Sequence, residues 1–185
     1  TIVAMLSVGG SVFYRPKERA LYADNAKMGF SRPGGDHITL LNVYSQWVDN
    51  EYSMNWCREH YIQGRSMRKA RDIREQLVEL CNKVDIQVNT ELCEDNSLIL
   101  KSFCSGYFFN TARLHKSGLY KTVKNNHSVN IHPSSVLFKE TPKWLLYYEL
   151  VLTTKEFMRQ IAEVNPQWLA ELAPHYFKQS DLEDD

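Results

Sequence analysis

At 185 residues the chain can hold one large domain or two small ones, and either is long enough for a buried core. Hydrophobic residues make up 43% and charged residues 24%, the balance of globular material. The 22 basic and 22 acidic residues cancel, which argues against a polycation that grips any nucleic acid, and no apolar run reaches membrane-spanning length.

In chain order, residues 1–6 read as an apolar helix with no start Met, so we expect a cut through a longer chain. Gly9-Gly10 ends that helix, and Pro16 suits the first turn of a second one running to about Gly29. Arg32-Pro33-Gly34-Gly35 is a loop. Asp36 can cap a third helix with Ile38, Leu41, Tyr44, Trp47 and Val48 at helical spacing. Ser53 can cap a short fourth helix carrying Trp56 and Tyr61. The clearest helix is 62–82, with Ile62, Ala70, Ile73, Leu77 and Leu80 on one side. Arg68–Asp72 and Arg71–Glu75 can pair along it, whereas Arg65 has no acid four residues on. Residues 1–83 therefore read as an all-helical bundle.

The acidic segment 85–95 is the expected boundary. Asn96 can cap a helix over 97–114, rich in Leu98, Ile99, Phe103, Phe108 and Phe109. Gly106 within it suggests close approach of another backbone. Segments 120–124 and 127–132 alternate, with Val123, Val129 and Ile131 as the apolar set and Asn125-Asn126 as a tight turn. His132-Pro133-Ser134-Ser135 breaks the ladder. Residues 144–152 suit a strand covered on both faces, 157–164 another, and Pro166 opens a last short helix. Four or five short strands plus a helix match a small OB-type barrel. The expected fold is α+β: a bundle over 1–83, a barrel over 84–178 with flanking helices, and an acidic tail over 179–185. Trp47, Trp56, Trp144 and Trp168 are assigned to cores.

Chemistry-bearing motifs are missing. No GxxxxGK[ST] or GxGxxG loop is present, nor HExxH or GxSxG. Cys57 and His60 lack an orienting third group. Cys57, Cys81, Cys93 and Cys104 form no CxxC and read as reduced, mostly buried thiols, so no metal site is expected. We expect no catalysis and no cofactor in this chain. The charge pattern is more telling: residues 97–139 hold no Asp or Glu, yet carry Lys101, Arg113, Lys116, Lys121, Lys124 and Lys139. That pattern fits a localised anionic partner or a solvated face.

Two stretches go beyond generic pattern. One runs Phe13-Tyr14-Arg15-Pro16, then Gly35-Asp36-His37-Ile38-Thr39-Leu40-Leu41-Asn42-Val43-Tyr44, Trp56-Cys57 and the segment from Arg65 through Arg68-Lys69-Ala70-Arg71 to Leu77. The other runs Gly106-Tyr107-Phe108, the segment from Val129 through His132-Pro133-Ser134-Ser135 to Phe138, and that from Glu149 through Thr153-Thr154-Lys155 to Arg159. Both resemble the C-terminal accessory region of DEAH-box RNA helicases, a helical ratchet bundle followed by an OB fold. Thr111-Ala112-Arg113-Leu114, the segment 120–124 and Pro33-Gly34-Gly35-Asp36-His37 resemble the splicing branch that acts on the activated spliceosome before the first catalytic step. The resemblance implies a nuclear, ATP-dependent RNA-remodelling parent, with ATP and Mg in motor domains outside this chain. It implies single-stranded RNA or pre-mRNA and the parent's motor domains as partners. Docking of a regulatory or spliceosomal protein is the alternative role.

The residues carry two readings each. Lys155, with the Thr153 and Thr154 hydroxyls, can hold phosphate oxygens at a strand end, or be an exposed turn. Lys121 and Lys124 flank the Asn turn and read equally as phosphate contacts or solubilising charge. His132 and Ser134 either touch RNA or fix the strand break. Tyr107 and Tyr120 can stack on bases, although packing suits Tyr120 better. Arg65 is a phosphate candidate. His37, at a helix start, is a ligand candidate or hydrogen-bonds a neighbour. Arg15 either fixes the turn between two helices or meets a motor domain.

Overall fold

The computed structural model describes residues 1–88 and 93–182. The chain forms two compact units, Thr1–Pro33 with Ile38–Leu92 and Gly34–His37 with Cys93–Asp185. The short loop Gly34–His37 thus belongs with the later unit, although the sequence reads it inside the bundle. Part of the expected boundary 85–95, and Glu183, Asp184 and Asp185, lie outside the described residues.

In the first unit, α1 (Ile2–Leu6) packs on α5 (Gly64–Lys83). Pro16 precedes a 3-10 turn, Lys17–Arg19, and α2 (Ala20–Phe30) follows it. The proline therefore opens the short turn rather than α2 itself. In α3 (Asp36–Asp49), Leu40 and Val43 are buried beside Ile38, Tyr44 and Trp47, while Val48 is exposed. Ser53 Oγ accepts the Trp56 N–H at 3.2 Å and caps α4 (Met54–Glu59). Phe30 is packed by the rings of Phe13, Trp56 and His60, and Trp47 by those of Tyr44 and Tyr52. On α5 the buried positions are Met67 and Ala70, whereas Ile73 and Leu77 are half-buried and Leu80 is exposed, so the cover of the apolar stripe thins along the helix.

In the second unit, the helix expected over 97–114 stops early. Asp95, not Asn96, caps α6 (Asn96–Tyr107), accepting the Ser97 N–H at 2.9 Å. Thr111–Leu114 is instead β1. It hydrogen-bonds to strands on both sides, so pairing partners rather than local propensity decide its conformation. The strands β2 (Tyr120–Thr122), β3 (Ser128–Ile131), β4 (Trp144–Leu152) and β5 (Glu156–Glu163) complete a closed barrel in the order β1-β2-β3-β5-β4. Only β3 and β5 pair in parallel. This is an α+β chain with a five-strand OB-type barrel. Tyr120 and Thr122 are the buried positions of β2, rather than Val123. Asn126 takes the turn at φ +52°. A Cβ on Gly106 would meet nothing within 4 Å, so no backbone crosses there. Two short helices follow the barrel, α7 (Pro166–Leu172) and α8 (Gln179–Leu182), so the described part of the acidic tail is folded.

The core holds Ala112, Tyr120, Val129, Ile131, Leu137, Leu145, Tyr147, Met158 and Ile161, with Leu150 packed against it. Side chains alternate along a strand, so positions three apart face opposite sides. Met158 and Ile161 nonetheless share the core, as do Tyr147 and Leu150. The β4–β5 hairpin therefore reverses face between them. The break lies at Gln160, whose φ is +52°, opposite Tyr148 in a register that pairs Tyr147 with Ile161 and Glu149 with Arg159.

Rotating that peptide out of the ladder strands its polar groups, and buried backbone groups need partners. The loop Gly34–His37 supplies them. Asp36 Oδ2 accepts the Ile161 N–H at 2.9 Å, and His37 Nε2 lies 2.8 Å from the Gln160 carbonyl. The two side chains thus grip both ends of a single peptide unit. Asp36 also accepts the Ser135 hydroxyl at 2.6 Å and the Val136 N–H at 2.9 Å, so donors from the β3–β4 connection and from β5 converge on its buried carboxylate. What Asp36 holds is the β3–β4 connection and β5, beyond the helix cap that its position suggests.

Gly35 makes the approach possible. It forms a bridge to Ala162 at φ +113°, and a Cβ on it would sit 2.6 Å from the Ile161 carbonyl oxygen. Gly35→Ala meets both a disfavoured backbone conformation and a backbone clash. We expect it to destabilise the second unit by about 2–4 kcal/mol. Gly106→Ala, in open helix, should be neutral or mildly stabilising. Thermal unfolding of the two variants side by side checks this, and equal melting temperatures would contradict it.

Candidate nucleic-acid interface

Strand directions divide the barrel loops between two ends. The β1–β2 turn (115–119) and the β3–β4 connection (132–143) share one end, where the Leu114 N–H donates to the Lys143 carbonyl at 2.8 Å. The β2–β3 turn (123–127) and the β4–β5 tip (153–155) share the other, tied by a short contact between His127 Nε2 and a Glu156 carboxylate oxygen. Sequence proximity does not reveal this partition.

Lys155 stands at the β4–β5 tip. The Thr153 N–H donates to the Lys155 carbonyl at 3.0 Å and closes the turn. Thr153, Thr154 and Lys155 are all exposed, and the Lys155 ammonium has no hydrogen-bond or ion-pair partner among the described residues. Behind the tip, Glu149 and Arg159 form a cross-strand ion pair at 3.4 Å. The arm is stiffened while its end stays open to solvent.

The acid-free stretch is not free of acids in space. Lys101 pairs with Glu171 at 2.7 Å, and Lys124 with Asp181 at 2.7 Å. Arg113 lies over the Trp144 ring, 5.9 Å from its centroid. The ammonium groups of Lys116, Lys121 and Lys139 find no partner among the described residues. Lys121 is on β2, in register with Arg113 and Ser128. Lys116 sits in the β1–β2 turn and Lys139 in the β3–β4 connection. Lys116 and Lys139 were visible as charge in sequence, yet only the barrel closure brings their two loops to one end.

The remaining candidates fall elsewhere. His132 and Ser134 lie at the end opposite Lys155. The Ser134 N–H donates to His132 Nδ1 at 3.1 Å, and the Ser134 hydroxyl oxygen is 2.7 Å from the same nitrogen. The His132 ring packs edge-on against Phe157, so this corner fixes the strand break whatever else it touches. Tyr107 is half-buried and stacked on Phe103 with centroids 4.5 Å apart, close to Phe109 and Tyr148. Tyr120 is buried and its hydroxyl donates to the Pro142 carbonyl, with burial pushing its pKa up to about 12. His37 is fully buried against the Phe103 ring, out of reach of a phosphate. Arg65 is exposed on α5, in the helical unit. Arg15, in the same unit, makes two hydrogen bonds to Asp24, at 2.7 and 2.9 Å, which braces its turn against α2.

Burial raises the Cys57 thiol, and it pushes Cys104 up to about 11, the opposite of an activated nucleophile. His60 is turned away to the Trp56 carbonyl, 2.8 Å from its Nδ1. Among the described residues no group of three or more His, Cys, Asp or Glu is placed to hold a metal ion. No helix among them is long and apolar enough to cross a membrane.

Residues 99–176 match the family model described as an oligonucleotide/oligosaccharide-binding (OB) fold, the domain found at the C-terminus of DEAH-box helicases. The matched segment takes in all five strands and α7. The match supports a helicase accessory region.

His37 makes the clasp sensitive to pH. Its Nε2–H donates to the Gln160 carbonyl, which leaves the buried Nδ1 without a partner among the described residues. Burial lowers its pKa from 6.5 to about 4. The unfolded chain takes up this proton near pH 6.5 and the folded chain does not, so stability falls as the pH drops from 6.5 towards 4. At pH 5 the loss is on the order of 2 kcal/mol. Chemical denaturation at pH 7 and pH 5 should show it in the wild type and much less in His37→Gln, whose amide can still donate. Equal pH dependence in both would refute the assignment.

Proposed function

We propose that this chain is an accessory module of a DEAH-box RNA helicase of pre-mRNA splicing, and that its barrel holds the backbone of single-stranded RNA. The observation that carries the reading is the β4–β5 tip, with exposed Thr153, Thr154 and a Lys155 ammonium that has no partner among the described residues, on an OB-type barrel. Lys121 on β2 and Lys116 in the β1–β2 turn, both without a partner among the described residues, lie where OB folds take oligonucleotides, as the β4–β5 tip does. An ammonium and two hydroxyls suit phosphate oxygens and carry no base code, so binding should be weak, salt-dependent and indifferent to sequence. ATP and Mg would act in motor domains of the parent, and the setting would be the nucleus.

A second reading, a platform that docks a regulatory or spliceosomal protein or the motor domains, is favoured by α2. Leu21, Tyr22 and Met28 there are 70%, 66% and 72% exposed, unusually open for large apolar side chains. Capture of a partner that survives nuclease and fails in Leu21→Ser/Met28→Ser would support it.

The RNA reading is tested with a fluorescein-labelled oligouridylate titrated against the chain at several salt concentrations. Lys155→Gln should weaken binding and flatten the slope of log K against log salt by about 0.7, the share of one phosphate on a single strand. Its thermal stability should stay within about 0.5 kcal/mol of the wild type. Wild-type binding that ignores salt, or a variant slope equal to the wild type, would overturn it.

A further inference from the structure

We propose that the C-terminal segment is a built-in competitor for phosphate, its Asp181 carboxylate occupying the Lys124 ammonium until an RNA strand displaces it. This rests on the RNA-backbone reading and adds its regulation.

The geometry is specific. Lys124 Nζ lies 2.7 Å from Asp181 Oδ2, and the same oxygen accepts the Lys178 N–H at 2.8 Å. The ammonium also sits over the Tyr176 and Phe177 rings, 5.1 and 5.5 Å from their centroids. Carboxylate and aromatic faces together give a cation what a phosphate on a base-lined strand would give it. Phe177 is buried and Tyr176 packs on Phe108, so the segment is anchored just ahead of its acid. The pair itself remains open, with side chains 30% and 24% exposed. An exposed ion pair is weak and screened, hence easily exchanged for another anion.

The placement also argues for competition. Lys124 is in the β2–β3 turn, which His127 and Glu156 tie to the Lys155 tip. A strand held by Lys155 passes the turn that Asp181 occupies. The two lysines of the acid-free stretch that receive carboxylates, Lys101 and Lys124, receive them from Glu171 and Asp181, both beyond the last strand. The sequence then continues with Glu183, Asp184 and Asp185, further charge of the same sign.

A simple latch that fastens the tail would predict the opposite outcome in RNA binding. With the full chain and the labelled oligouridylate, Asp181→Asn should bind several-fold tighter than wild type at moderate salt, with a similar salt slope, since a phosphate meets Lys124 in both complexes. Lys124→Gln should change wild-type affinity little and should abolish the gain in the double variant. Acylation of lysines by an amine-reactive ester, read by mass spectrometry without RNA, should be slower at Lys124 than at Lys155 and should rise at Lys124 in Asp181→Asn. Unchanged or weaker RNA binding by Asp181→Asn, while Lys155→Gln still weakens the wild type, would overturn the competitor and leave the RNA reading intact. No binding by either protein would overturn both. Equal acylation of Lys124 in wild type and Asp181→Asn would remove the occupancy on which the inference stands.

Discussion

The peptide between Gln160 and Ile161 cannot be satisfied by the sheet that contains it. Gln160 at φ +52° turns it out of the β4–β5 ladder, and Asp36 and His37 take its N–H and C=O. A regular hairpin would leave Met158 and Ile161 on opposite faces, and with them half of this strand's core contribution. The reversal lets one long hairpin line the barrel with Tyr147 and Ile161, and then again with Leu150 and Met158. Asp36 extends the same grip to Ser135 and Val136, so β5 and the β3–β4 connection share one buried carboxylate. Removing either side chain would leave a buried polar group unpaired, the costly half of a hydrogen bond.

Much of this was legible in the sequence, and the illegible parts have physical reasons. The strand over 144–152 announces itself by a long apolar run and has the bounds expected, and the strand expected over 157–164 is β5 within one residue at each end. Asn126 declares its turn because few residues accept positive φ. β1 is hidden, since four residues following a helix carry no period of their own and become a strand only through partners distant in sequence. The clasp is hidden for the same reason. Asp36 heads a helix, where a cap is the obvious reading, and its partners lie about a hundred residues on. The glycine pair before it was a hint, because Gly35 has a φ that other residues resist and a neighbour that no Cβ could tolerate.

Charge shows a similar limit. The absence of acids from 97–139 is a true property of the chain, yet it does not describe the surface of the barrel. Glu171 and Asp181 fold back onto Lys101 and Lys124, and Trp144 takes the Arg113 guanidinium. The cations without a partner among the described residues, Lys116, Lys121, Lys139 and Lys155, are spread over both ends and one face of the barrel rather than gathered in a pocket. Such spacing suits an extended polyanion better than a compact ligand.

The hairpin also separates the site from the fold. Beyond the reversal, Met158 and Leu150 are the last residues to reach the core, the rest of the arm is half-buried or exposed, and the tip contributes nothing to the core. Its direction is nevertheless fixed, because the clasp sets the peptide from which the arm departs and the Glu149–Arg159 pair holds its two strands together. Substitutions at Thr153, Thr154 and Lys155 can therefore change contacts without changing stability, while substitutions at Gly35, Asp36 or His37 change where the tip points before they change what it carries. The residues that hold the peptide from which the tip departs lie in a loop far from it in sequence, and they act on the tip through geometry alone.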